Sequence, residues 1–235
     1  MPPDMYYDAT EARKYDSSSR IMNIQADLSA RAIEMLGFSD DTPKYILDIG
    51  CGSGLSGQVL EESGHYWVGC DISRTMLDVA QERETEVGDL VHADMGHGLP
   101  FRPGTFDGII SISAIQWLCY ASSSDQDPRL RLNRFFSSLY SVMKKDARAV
   151  LQFYPENEEQ ALLIAQCASK VGFAGGVVVD FPNSSKAKKH YLCLSFERSY
   201  RVPTALAAED NGVRVTVRET GYAKYIHIIT PNESN

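Results

Sequence analysis

Residues 45–54 read "YILDIGCGSG": a short apolar run, a carboxylate, and Gly50, Gly52 and Gly54 two positions apart. Glycines at that spacing let the chain turn sharply and bring backbone N–H groups close to a ligand. Three ligand classes compete for such a turn. A nucleoside triphosphate cradle needs a lysine after its last glycine, and none follows here. A dinucleotide fingerprint needs glycine at the position held by Leu55. Asp48, just before the turn, suits a ligand that presents a cation, and S-adenosylmethionine carries an ammonium and a sulfonium and no phosphate. Two further acids fit that ligand. Asp71 follows Gly50 by about 20 positions, the spacing at which an acid meets ribose hydroxyls. Asp94, in "HADM", can accept from the exocyclic amine of adenine, with Ile72 and Met95 as apolar walls. Any one of these aspartates would serve equally well as a helix cap or turn former. The three in order favour the cofactor.

Such residues need strand ends to stand on, and the hydrophobic pattern supplies them. Residues 19–37 carry apolar positions at helical spacing, and "GFSDDTP" ends that helix. "YILDIG", "HYWVGCDIS", "GDLVHADM", "TFDGIISIS", "ARAVLQFY", "GGVVVDF" and "HYLCLSF" read as strands. "LSGQVLEESG", "RTMLDVAQER", "RLNRFFSSLYSVM" and "ENEEQALLIAQCASKVG" read as helices. Helix-sized segments between strands imply right-handed crossovers, and so an α/β, doubly wound, mostly parallel seven-stranded sheet, preceded by a segment that resembles an N-terminal helical lid. The expected units are a lid segment and helix over 1–40, the main domain over 41–197, and an extension over 198–235 whose "VRVTVRETGYAKYIHII" alternates like a hairpin.

Composition narrows the function classes. The 235 residues are 43% hydrophobic and 23% charged, enough for a real core, and no apolar run approaches a membrane span. With no hydrophobic leader, an intracellular chain is expected. The five cysteines form no C-x-x-C pair, and the histidines show no ligand spacing, so buried thiols and no metal site are expected. A net charge of -8 argues against nucleic-acid binding by the whole surface and leaves local basic runs, "RLRLNR" at 129–134, "KK" at 144–145 and "KAKK" at 186–189. Taken alone, each run reads better as a solvated helix face or loop.

"LDIGCGSG", "VGCDIS", "ADMGHGLPF" and "FDGIISISAIQWL" resemble the motifs of class I S-adenosylmethionine-dependent methyltransferases. "YYDATEARKY" at 6–15, "SISAIQWLC" at 111–119, "LQFYPENEEQ" at 151–160 and "GFAGGVVVDFPNSSKAKKHYLCL" at 172–194 are similar to the eukaryotic small-subunit (18S) ribosomal RNA guanine-N7 methyltransferases. The resemblance covers roughly residues 6–196. It implies methylation of guanine N7 in ribosomal RNA during ribosome biogenesis, in nucleus (nucleolus and nucleoplasm) and cytoplasm, as a heterodimer with a small zinc-binding activator subunit. That family typically ends in a long basic tail, and "GYAKYIHIITPNESN" is neither long nor basic.

Guanine N7 has a lone pair and no proton, so its methylation requires no general base. Catalysis then rests on holding N7, the methyl carbon and sulfur in line. The expected base-holding residues are Trp117 and Tyr154 as aromatic clamps, with Ser113, Gln116 and, more weakly, Asn157 at the base edge. Either aromatic would fit a core position equally well. Ser111 is expected on the cofactor side. Tyr7, Tyr15 and Arg20 could close over the cofactor, Arg20 pairing with its carboxylate. In an RNA-binding family, Lys186, Lys188 and Lys189 suit phosphate contact. The strand 88–95 would be a sheet edge, open to the activator by strand addition. A small-molecule methyltransferase and a ribosome-assembly factor with secondary catalysis are the alternative readings.

Overall fold

Helix α1, Ser19–Leu36, is stopped by Gly37, whose left-handed backbone donates to the Glu34 carbonyl. In the computed structural model, the described chain comprises residues 18–83, 85–120 and 127–207, and the backbone of 218–220 and 223–225. After α1 come β1 (Tyr45–Ile49), α2 (Leu55–Glu62), β2 (Tyr66–Asp71), α3 (Arg74–Gln81) and β3 (Gly88–His92). Strand β4 (Phe106–Ile112) runs into a 3-10 turn over Ile115–Cys119. Then follow α4 (Pro128–Val142), β5 (Met143–Phe153), α5 (Glu158–Val171), β6 (Ala174–Asp180) and β7 (Lys189–Ser195). The helix starts are chemically marked. Ser73 caps α3, Asp127 with Pro128 behind it starts α4, and Asn157 caps α5.

The sheet order is β3-β2-β1-β4-β5-β7-β6, parallel from β3 through β5, with β7 antiparallel to both neighbours. The period of two along each strand divides the core. Ile46, Trp67, Ile110 and Val150 face α1 and α2, whereas Leu47, Val68, Ile109 and Leu151 face α4 and α5. The doubly wound reading therefore holds, and β3 is a sheet edge, ending at His92 rather than at residue 95.

Two expected boundaries move. Leu28, Ala32, Met35 and Leu36 of α1 are buried against Ile46, Ile110 and Val150, so α1 is a layer of the main domain, and the lid segment before it, residues 1–17, lies outside the described residues. Residues 198–207, assigned above to the extension, also belong to that domain. Arg31 pairs with Asp180 at 3.0 Å and donates to the Thr204 carbonyl at 2.7 Å. Asp180 accepts from the Leu206 N–H, and Phe181 N–H donates to the Leu206 carbonyl. Farther along, β8 (Arg218–Thr220) and β9 (Ala223–Tyr225) pair antiparallel in a separate two-stranded sheet. No helix among the described residues is long and apolar enough to cross a membrane.

Candidate active site

The glycine turn sits where β1 ends, and its backbone explains its composition. Gly50, Gly52 and Gly54 have φ of 72°, 53° and 81°. A Cβ on Gly50 would lie 2.3 Å from the Ala114 Cβ, so the turn packs directly on the segment after β4. That contact brings the expected cofactor side and base side together.

Asp48 lies beneath the turn rather than in open ligand space. It is 0% exposed; its Oδ2 accepts from Ser56 Oγ at 2.5 Å, and its Oδ1 is buried without a partner. Burial, with Asp71's charge adding to it, pushes its carboxyl up to about 7 against the Ser56 hydrogen bond. A buried carboxylate with a free oxygen is the electrostatic complement of a nearby cation. Asp71 ends β2 as expected, and its two oxygens accept from Gly52 N–H at 2.9 Å and Ser73 N–H at 2.7 Å. Each oxygen keeps a second lone pair for a hydroxyl donor. Burial raises this carboxyl as well. Ile72, just past β2, and Met95, opening the 3-10 turn beyond β3, are half-buried.

Other expected cofactor residues are placed differently. Asp94 lies beyond β3, where it caps the 3-10 turn Met95–His97 through Gly96 N–H at 2.8 Å. Arg131 Nη2 meets both of its oxygens, at 3.0 and 3.1 Å. Ser111 is corrected: it is 0% exposed, and its Oγ donates to the Ile49 carbonyl at 2.7 Å, so it ties β4 to β1 inside the core. Arg20 is exposed in the first turn of α1, while Tyr7 and Tyr15 lie outside the described residues. Burial also pushes the Cys70 thiol to about 12 and Cys51 well up, so both stay protonated and neither is a nucleophile at neutral pH.

On the base side, Ile112 of β4 pairs with Gln152 of β5, which brings the segments after both strands together. Trp117 is half-buried in the 3-10 turn, its ring 5.9 Å from that of Tyr120. Tyr154 is 40% exposed, with Lys189 Nζ 5.3 Å from its ring centroid. Ser113 and Gln116 are linked, Gln116 Nε2 donating to the Ser113 carbonyl at 2.7 Å. Asn157 is exposed, and its side-chain oxygen accepts from Gln160 N–H as the α5 cap. Lys186 and Lys188 are exposed, and Lys189 is half-buried at the start of β7. Beside Phe153, burial and then Lys188 lower His190 to about 4, so it is neutral at pH 7.

Residues 47–151 match the family model described as a methyltransferase domain. The chain is 58% identical over 205 residues to the 18S rRNA (guanine-N(7))-methyltransferase of Mus musculus, covering 87% of this chain and 73% of that protein. It is 53% identical to the 18S rRNA (guanine(1575)-N(7))-methyltransferase of Saccharomyces cerevisiae, covering 83% and 70%. This chain belongs to the 18S rRNA (guanine-N7)-methyltransferase family. Among solved structures, it resembles a Haemonchus contortus phosphoethanolamine N-methyltransferase in complex with S-adenosylhomocysteine, at TM-score 0.62 and 19% identity, covering 80% of this chain and 57% of that one. It also resembles a chain from the complex between the Haloferax volcanii Trm112 methyltransferase activator and a methyltransferase, at TM-score 0.53 and 15% identity, covering 80% and 98%. These likenesses show the class I methyltransferase fold.

In this rRNA methyltransferase family member, sequence reasoning missed three supporting residues. Ser56 is an ordinary helix residue in one dimension and the partner of Asp48 in three. Arg131 sits in a run that reads as a solvated basic face, yet its side chain is only 13% exposed. Gln152 was hidden inside the apolar run of β5, although a lone amide among Val150, Leu151 and Phe153 is itself a signal.

Proposed function

We propose that this chain transfers the methyl group of S-adenosylmethionine to guanine N7 in small-subunit (18S) ribosomal RNA during ribosome biogenesis. The observation that carries the reading is its identity to rRNA guanine-N7 methyltransferases over most of the chain. The site's chemistry agrees. The buried, unpartnered Asp48 Oδ1 and the glycine turn fit a ligand with a cationic amino-acid moiety. Asp48 would favour that moiety by charge from beneath the turn, Asp71 would take the ribose hydroxyls, and Ile72 and Met95 would flank adenine. Asp94 would accept from the adenine amine through lone pairs that Arg131 leaves open, and Arg20 and Tyr15 would cover the cofactor.

When bound, the cofactor supplies an electrophilic methyl group activated by its sulfonium. The residues of this chain supply position. Trp117 and Tyr154 would hold the extruded guanine by its faces, and Ser113 and Gln116 would meet its edge. Orientation of this kind lowers a barrier by several kcal/mol without any proton transfer (~7–11 in the most favourable intramolecular systems). The protonated thiols and neutral His190 fit a reaction that asks for no base. Exposed Lys186 and Lys188, with Lys189 on the Tyr154 ring, would receive the RNA phosphates on either side of that base.

The edge strand β3 is where a small zinc-binding activator subunit would add a strand. A Haloferax volcanii methyltransferase that shares this fold occurs in a complex with the Trm112 activator, which supports a partner of that kind. A chain acting on pre-ribosomal RNA would be found in nucleolus, nucleoplasm and cytoplasm. The test is a map of N7-methylguanosine in small-subunit RNA from cells with and without this protein. Loss of one methylated guanosine is expected, and an unchanged map overturns the reading.

A further inference from the structure

Gln152 stands in the middle of the sheet, paired in register with Ile112 of β4 on one side and Tyr191 of β7 on the other, and it is 0% exposed. Its Oε1 accepts from Ser113 N–H at 2.9 Å and from Ser113 Oγ at 2.8 Å. Ser113 N–H also reaches the Gln152 backbone carbonyl at 3.0 Å. Ser113 needs that hold. Its φ is 57°, one of two left-handed non-glycine residues among those described. Serine adopts such a backbone only where its surroundings impose it. From Ser113 the network continues to Gln116, whose Nε2 donates to the Ser113 carbonyl.

The same amide is a poor choice for stability. Gln152 Nε2 is buried without a partner, and so is Gln116 Oε1 at the far end of the network. An apolar side chain of similar reach would fill the strand position and leave no orphaned donor there. What such a side chain cannot do is accept the two Ser113 hydrogen bonds. The fold therefore keeps a buried polar group whose service is to the turn after β4 and not to the core.

We propose that Gln152 is a positioning residue for methyl transfer: it holds Ser113 in its left-handed backbone and so sets the 113–119 turn that presents Gln116 and Trp117 to the base. The proposal rests on the guanine-N7 reading above for its catalytic consequence. It acts through Ser113 and not through the cofactor turn, which predicts a split between rate and cofactor affinity.

The test uses Gln152→Met, which removes the acceptor, and in parallel Gln152→Asn, which keeps the amide and withdraws it by one methylene. Each is made alone and with Ser113→Gly, since glycine holds a left-handed backbone unaided. The full chain is labelled with fluorotryptophan; its two tryptophans, Trp67 in the core and Trp117 in the turn, give two resonances, assigned by Trp117→Phe. Initial rates of N7-methylguanosine formation on small-subunit precursor particles and S-adenosylmethionine affinity by calorimetry complete the set. In both Gln152 variants we expect the rate at saturating cofactor to fall tenfold or more and the cofactor dissociation constant to stay within twofold. The Trp117 resonance should move or broaden while that of Trp67 stays. In the Ser113→Gly background the same substitutions should change the rate less than threefold. An unmoved Trp117 resonance, equal loss of cofactor affinity and rate, or additive effects in the two backgrounds overturns the proposal. If the unsubstituted chain forms no N7-methylguanosine, the functional reading has failed, and the resonance alone decides whether Gln152 sets the turn.

Discussion

Asp48 gives the most quantitative prediction. Its carboxyl is fully buried and raised from an ordinary 3.8 to about 7, chiefly by loss of solvation. An acid raised on folding makes the native state bind the extra proton between those two values, so stability falls as pH rises through that window. The penalty is small near pH 4, is most of the way in by pH 7, and is complete above about pH 8. Worked through the linkage relation, the change between pH 5 and pH 8 is roughly 2–3 kcal/mol. Asp48→Asn keeps an acceptor for Ser56 Oγ and removes the titration. Urea unfolding of both chains without cofactor, at pH 5, 6.5 and 8, should show the unsubstituted chain losing about 2–3 kcal/mol more than the variant over that range. Titrating groups that do not interact with Asp48 cancel in the difference; Asp71, whose charge helps raise Asp48, cancels only in part. On the proposed placement of the cofactor, binding would reverse the sign for this residue: a cation beside the carboxylate favours the ionised form, so affinity should rise from pH 5 to pH 8 and binding at pH 7 should release protons. Calorimetry in buffers of different ionisation enthalpy reads that release, and Asp48→Asn should lose it. Parallel stability curves for the two chains would refute the reasoning, because they would mean that Asp48 titrates alike folded and unfolded.

Three further outcomes follow from named contacts. Gly50→Ala puts a methyl group 2.3 Å from the Ala114 Cβ at a φ of 72°, and should cost roughly 2–4 kcal/mol and abolish the rise in melting temperature on adding S-adenosylmethionine. Tyr154→Ala should slow methylation about 5- to 150-fold, the range of a ~1–3 kcal/mol base-stacking contact, with cofactor affinity unchanged, whereas Tyr154→Phe should stay within a few-fold. Arg31→Leu leaves the buried Asp180 without its cation and should cost about 3–5 kcal/mol; limited proteolysis should then cut near Thr204, whose carbonyl Arg31 holds.

The strands were legible because buried parallel strands are short apolar runs between turn formers, and "YILDI" or "FDGIISI" admits little else. The glycine turn and Asp71 were legible for the same local reason. What the sequence hid was register and distance. Ser111 looks like a polar residue near a site, but its place in the β4 alternation turns it into the core, where only the Ile49 carbonyl can meet it. Asp94 and Arg131 are 37 positions apart, so nothing in one dimension pairs them. Helix α1 reads as amphipathic either way; only the sheet it covers distinguishes a core layer from a lid. Asn157 stands three residues before Gln160, and the local signal for a helix cap there is realised.

The clasp formed by Arg31, Asp180 and residues 204–206 also fixes a direction. In the antiparallel β6–β7 pair, Asp180 stands opposite Lys189, at the end of the sheet where β5 delivers Tyr154. Ala207 thus lies near the end of the sheet that carries Tyr154 and Lys189, the proposed substrate end. It does so beside β6, the edge opposite β3 and six strand spacings, roughly 29 Å, away. A peptide spliced on after Ala207 would begin near the proposed RNA-binding lysines and far from the proposed partner edge β3, so a tether there should leave partner binding unchanged.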